Sequence, residues 1–261
     1  MNQSRADEAG RIVHDCWAAG SVVAELPENC RPATLAAGYE VQRSFVQHSG
    51  ETVAGWKIAA TSIAGQRHIN VDGPIAGRLL KSRVHHSPGS VQLGQNRMSV
   101  AEAEFAFVLG RALPARGAPY TEAEVFAAVA DVHPAIEIPD SRYRDFTRAG
   151  GPQLAADNAC ACQFILGPAA AADLQSIDFV AHPVRLVIDG EEATRGTGAD
   201  ALGDPRTALA WIANNHALQG GSLKAGDIVT TGVCGQPSPI RQGSRVVADF
   251  GSLGTAVTVL L

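Results

Sequence analysis

The stretch Val100–Gly110, VAEAEFAFVLG, restricts the fold more than any other part of the chain. At the two-residue period of a strand, Ala101, Ala103, Phe105 and Phe107 share one face, and Glu102, Glu104, Ala106 and Val108 share the other. The glutamate Cα atoms then lie only about 6.7 Å apart, twice the strand rise. Phe105 to Leu109 is apolar without a break, which predicts a strand covered on both faces. Taking a carboxylate out of water costs several kcal/mol, and a like charge beside it adds to the cost. A basic partner, a proton or a bound cation has to offset that cost. No Lys or Arg lies within the stretch.

A third carboxylate occupies a similar setting in His133-Pro-Ala-Ile-Glu137-Ile-Pro139, a short apolar run between prolines. Three oxygen donors in apolar strands suit a hard cation such as Mg²⁺ or Mn²⁺. The competing arrangement is an edge strand with Glu102 and Glu104 in water and Glu137 in a salt bridge. Lys57 is the only charged residue of VAGWKIAA (Val53–Ala60), a second predicted strand with Trp56 and Ile58 on the opposite face. Its ammonium either snorkels to water or sits beside the carboxylates as a proton donor or electrostatic stabiliser.

Composition narrows the classes. At 261 residues, 46% hydrophobic and 18% charged, the chain can bury a substantial core as an ordinary soluble protein. A net charge of −5 without basic runs argues against a nucleic-acid surface. No apolar run is long enough to span a membrane, and MNQSRADEAGR lacks the apolar core of a signal peptide. Cys16, Cys30, Cys160, Cys162 and Cys234 are an odd, scattered set rather than a disulfide framework. These features predict a cytoplasmic protein. There is no nucleophile elbow, phosphate loop, EF-hand loop or HExxH pair.

Along the chain, helices are expected over Ser4–Ala24 and Pro32–Gln47, the second with Leu35, Tyr39, Gln42 and Val46 inward. Thr121 and Glu124 form a capping box for a helix through Ala130. Ala135–Ile138 and Ala161–Leu166 read as strands, with Cys160 and Cys162 as small strand residues and Gly150-Gly151-Pro152 as a loop. Asp157 and Asn158 read as cap or turn residues. Asp189-Gly190 signals a hairpin. Asp204 and Pro205 open a helix closed by Gly220, and DIVTTG, RVVADF and TAVTVLL are strands. Short turns between strands and few helices favour an α+β fold.

Taken together, GWKIAATS (Gly55–Ser62), AEAEFAFVLG, AIEIPDSRY, ADNAC, KAGDIVTTG and ADFGSLG resemble the 2-keto-4-pentenoate hydratase and 4-oxalocrotonate decarboxylase group of the fumarylacetoacetate hydrolase superfamily. The resemblance spans about four-fifths of the chain. It implies a mixed β-roll or barrel-like sheet with an N-terminal helical layer, residues 1–50 forming the layer and 51–261 the β-rich catalytic part of one folding unit. It further implies that Glu102, Glu104 and Glu137 hold Mg²⁺ or Mn²⁺, that Lys57 moves protons or stabilises an enolate, and that the protein is a homo-oligomer acting on a small 2-oxo or 2-hydroxy acid, alone or with an enzyme of the same pathway. Asn158, Cys160 and Ile75 fall at positions facing substrate.

Two departures bear on the reaction. Where hydratases of the group carry an aspartate in a P-D-F-G turn, this chain has Pro74-Ile75-Ala76-Gly77, closer to the decarboxylases. Cys160 replaces the usual serine after Asp-Asn-Ala. The expected activity is a metal-dependent lyase of aromatic catabolism, hydrating a short 2-hydroxy-dienoate. The alternatives are decarboxylation of a vinylogous 2-oxo diacid, and a catalytically reduced metal-binding subunit.

Overall fold

The computed structural model describes residues 1–218 and 221–261. Two helices form the N-terminal layer, α1 (Gln3–Ala19) and α2 (Leu35–Ser49). Asn2 and Thr34 cap their N-termini through side-chain oxygens, and Gly20 and Gly50 close them in the left-handed conformation. Gly20 therefore stops α1 at Ala19, short of the expected Ala24. Leu35 at the start of α2 is exposed and Val46 half-buried, whereas Tyr39 and Gln42 point inward as expected.

The rest of the chain builds two sheets. The strands are β1 (Val53–Ala59), β2 (Ile75–Leu80), β3 (Val84–His86), β4 (Gly89–Val91), β5 (Val100–Leu109), β6 (Val129–Ile138), β7 (Gln163–Leu166), β8 (Pro183–Ile188), β9 (Glu191–Thr197), β10 (Ile228–Val233), β11 (Ser238–Pro239), β12 (Arg245–Asp249) and β13 (Thr255–Leu260). Short helices interrupt them: α3 (Ile63–His68), α4 (Glu122–Phe126), α5 (Gly151–Ala156) and the longer α6 (Pro205–Leu218). The larger sheet runs β2-β1-β10-β5-β6-β7-β3, with β11 beside the start of β5, and the smaller runs β4-β13-β12-β8-β9. This mixed, curled architecture with its helical layer is the expected α+β fold.

The two faces of β5 divide as the alternation predicts. Phe105 and Phe107 stand between the sheets, edge-to-face with Phe179 and, for Phe105, Phe250. They share one core with Leu186, Val246, Ala248 and Ala256 of the smaller sheet. The other face lies inside the curl, where Ala106 joins Leu79, Ala135, Phe164 and Ile228 in a second apolar cluster.

Three local expectations are corrected and a fourth is borne out. The capped helix at Thr121 ends at Phe126, because Val129 already enters β6, six residues before the expected strand start. Gly150-Gly151-Pro152 opens α5, with proline in the first turn where its missing N–H costs nothing. Cys160 and Cys162 precede β7 and lie in no strand. The Asp189-Gly190 hairpin does form between β8 and β9, both turn residues having positive φ. The expected closure at Gly220 lies outside the described residues. No described helix is long and apolar enough to cross a membrane.

Candidate active site

β5 and β6 pair antiparallel in a register that sets Glu102 directly opposite Glu137, with Glu104 opposite Ala135. All three carboxylates thus share the concave face. One oxygen from each lies within 4.8 Å of the others. Glu104 and Glu137 are buried, while Glu102 keeps partial contact with the cavity. Like charges directly across a ladder repel, so the constellation needs positive charge.

Part of that charge comes from Lys57. β1 and β6 are separated by β10 and β5, about 14 Å along a flat sheet. Yet Lys57 Nζ stands 2.8 Å from Glu137 Oε1. Only a strongly curled sheet brings them together. With Lys57 itself 3% exposed, the snorkelling arrangement is ruled out. Burial alone would lower the lysine, but the charges of Glu137 and then Glu102 outweigh it and keep the ammonium protonated.

One ammonium does not satisfy three carboxylates. The contact with Glu137 is an ion pair, and neither Glu137 oxygen has a hydrogen-bond partner among the described residues. Glu104 Oε2 accepts the Gly232 N–H at 3.0 Å. Burial first, then the charge of Glu137, pushes Glu102 up to about 7, and the same two causes raise Glu104 well above the usual carboxylate range. Unsatisfied, oxygen-only, clustered donors fit a hard divalent cation.

The carboxylates open into a cavity of about 570 Å³. Ile75, Cys160 and Lys57 line it together with Glu102 and Glu104. Ile75 is fully buried opposite Ala59 of β1. The Cys160 thiol is pushed up to about 12, by burial first and then by Asp157, so it is a neutral wall rather than a nucleophile. Asn158 is not brought to the cavity wall. Its carboxamide is consumed by the backbone of Arg78, accepting from the Arg78 N–H at 2.7 Å and donating to the Arg78 carbonyl at 2.8 Å. Gly77 permits this approach, since a Cβ there would collide with the Asn158 carbonyl.

The turn carrying these residues has three successive residues in the left-handed region, Asn158, Ala159 and Cys160, with φ of 55°, 50° and 62°. Each non-glycine residue so placed costs about 1–2 kcal/mol. Asp157 anchors the turn, accepting from Trp17 Nε1 at 2.8 Å, Ser141 Oγ at 2.6 Å and the Arg142 N–H at 2.8 Å. The sequence reads Asp157 as a cap or turn residue, and nothing in DNAC by itself signals its long-range partners. Also missed were His68, Met98, Val100 and Phe146, which line the cavity. Asp140 and Asp72 do not bring a further carboxyl: Asp140 is paired with Arg142 and accepts from the Arg97 N–H, and Asp72 is exposed off the cavity wall.

The model of the fumarylacetoacetate (FAA) hydrolase C-terminal family matches residues 39–260. The chain belongs to that family. Within it, the chain is 34% identical over 257 residues to the 2-keto-4-pentenoate hydratase of Burkholderia vietnamiensis, covering 97% of this chain and 96% of the relative. It is 30% identical over 251 residues to the 2-hydroxyhexa-2,4-dienoate hydratase of Comamonas testosteroni, covering 94% of each. The structure of 4-oxalocrotonate decarboxylase from Pseudomonas putida G7, complexed with magnesium and adipate, superposes with a TM-score of 0.90 at 25% identity, covering 100% of this chain and 99% of that one. The family relatives thus include both reactions that the Ile75 departure sets against each other.

Proposed function

We propose that this chain is a metal-dependent lyase that hydrates a short 2-hydroxy-dienoate, by way of its 2-oxo-enoate form, in aromatic catabolism. The observation that carries the reading is the Lys57 ammonium held beside three converging carboxylates at the inner end of a cavity. Glu102, Glu104 and Glu137 would hold Mg²⁺ or Mn²⁺, which when bound supplies Lewis acidity to the C1 carboxylate and C2 oxygen of the acid. Lys57 does the proton work. Its ammonium gives a proton to C5 of the dienol, and the C2 hydroxyl proton returns to the amine. Water then adds its oxygen to C4 and a proton to C3. Ile75 and Cys160 wall the cavity without supplying charge.

Decarboxylation of a 2-oxo diacid on the same platform is the second reading. It is favoured by Ile75 and by the fact that, among the described residues, Glu102 and Glu104 are the only carboxyl groups lining the cavity. Assay of the purified protein with Mg²⁺ or Mn²⁺ against 2-hydroxypenta-2,4-dienoate and 2-oxohex-3-enedioate separates the two. Loss of the dienoate to a hydroxy-oxo acid supports hydration, and CO₂ release from the diacid without it favours the alternative. A homo-oligomer in the cytoplasm, folding as one unit across residues 1–261, fits this reading. Tyr143 and Cys160 pack in one cluster with Val13 and Phe45 of the helical layer, which supports a single unfolding transition.

A further inference from the structure

Resting on the reading above, we propose that the outer end of the cavity is a subsite for an uncharged hydrocarbon tail, selected by Met98 and Val100. Glu104, Glu102 and Val100 share the concave face of β5, so Val100 stands one strand repeat, about 6.7 Å, beyond Glu102. Pro239 of β11 pairs with Val100, and Pro139 follows the end of β6 at the same level. On the facing side, β1 runs parallel to β10 and β10 antiparallel to β5. The Ala59–Ile75 pair therefore lies toward this same end. Met98, Ile69 and Phe146 complete the wall.

The spacing matches the chemistry. An extended acid measures about 5 Å from C1 to C5, four bonds of about 1.5 Å each. With C1 and C2 at the carboxylate end, C5 and any group attached to it reach Val100 and Met98, both half-buried. A second carboxylate there finds hydroxyl and amide groups in the lining, Thr61, Ser62 and Gln236, but no lysine or arginine to neutralise it. Among the described residues lining the cavity, the basic ones are Lys57 and His68. Lys57 is engaged with Glu137 at the other end. His68 is exposed at the rim, its ring edge-on to Phe146 at 5.9 Å. A distal carboxylate would lose water without gaining a hydrogen-bonded counter-charge.

A matched pair of saturated, unreactive acids tests this: 2-oxohexanoate and 2-oxoadipate, which differ by a methyl against a carboxylate at the far carbon. Their binding to the Mg²⁺-loaded protein is measured by calorimetry at about pH 8, where histidines are ordinarily neutral. The expected result is binding of 2-oxohexanoate about tenfold or more tighter than 2-oxoadipate. Val100→Lys and, as a second variant outside the strand, Met98→Lys should narrow or invert that ratio. Equal binding, or tighter binding of 2-oxoadipate by the unaltered protein, overturns the tail subsite and leaves the lyase reading standing. If neither acid binds while Mn²⁺ does, the 2-oxo-acid reading falls and the subsite with it.

Discussion

The β5–β6 ladder and the Asp157–Cys160 turn both contribute to the wall of the same cavity, yet they hold their side chains in place by different means. In the ladder, backbone pairing fixes Glu102 opposite Glu137, and the like charges crowded there are a cost the strands carry. In the turn, three left-handed residues carry the strain, and hydrogen bonds from Asp157 and Asn158 to distant parts of the chain offset it. A charge can therefore be removed from the ladder without loss of shape. The turn depends on its side chains for its shape.

The sharpest test of that contrast is Glu104→Gln, which removes a charge at constant volume. Activity should fall on the order of a hundredfold or more, and Mn²⁺ affinity should drop with it, while the melting temperature stays the same or rises as repulsion is relieved. Calorimetric Mn²⁺ titration and a thermal melt check both halves; unchanged Mn²⁺ affinity would place the cation elsewhere.

Lys57→Met should cost on the order of a hundredfold in kcat. Because Lys57 is paired with buried Glu137, the substitution also leaves a carboxylate uncompensated, a loss of about 3–5 kcal/mol without metal. A bound divalent cation would replace the missing charge. The variant should accordingly melt far below the unaltered protein in chelator and recover much of the difference in Mg²⁺. Equal deficits in both conditions would show that the cation does not share Glu137.

Asp157→Ala reverses the pattern expected of the ladder. It strands the Trp17, Ser141 and Arg142 donors, a loss of about 3 kcal/mol in all. Denaturant unfolding should show that loss while Mn²⁺ affinity stays within about threefold, below 1 kcal/mol. A large loss of Mn²⁺ binding with stability intact would mean the turn serves the metal rather than the fold.

A smaller effect comes from pH. Glu102, pushed up to about 7, still holds its proton below that value in the metal-free site, and a cation has to displace it. Mn²⁺ affinity should therefore strengthen as pH rises through 7, with proton release visible in buffers of different ionisation heat. An affinity flat from about pH 6 to about pH 8 would exclude Glu102 as the titrating ligand. The smallest change is expected of Ile75→Asp, which places a carboxyl where the cavity has only carbon. It should raise hydration relative to decarboxylation by a few-fold; an unchanged ratio would show that the residue at this position does not separate the two reactions.

From sequence alone, the alternation in VAEAEFAFVLG determined which face of β5 is core and which carries the glutamates, because side-chain direction in a strand is a local property. The capping box at Thr121 and the Asp189-Gly190 hairpin were legible for the same reason. The motifs also led to the right family, and with it to the candidate ligands. Tertiary structure alone decided that Glu137 lies opposite Glu102, that Lys57 reaches a strand three places away, and that Asn158 serves the backbone of Arg78 instead of the cavity. It also decided that Met98 and Phe146, distant from each other in the chain, line the same cavity. Register and curl depend on contacts between residues far apart in the chain, and no periodicity within a single strand encodes how far its neighbours slide or how tightly the sheet closes.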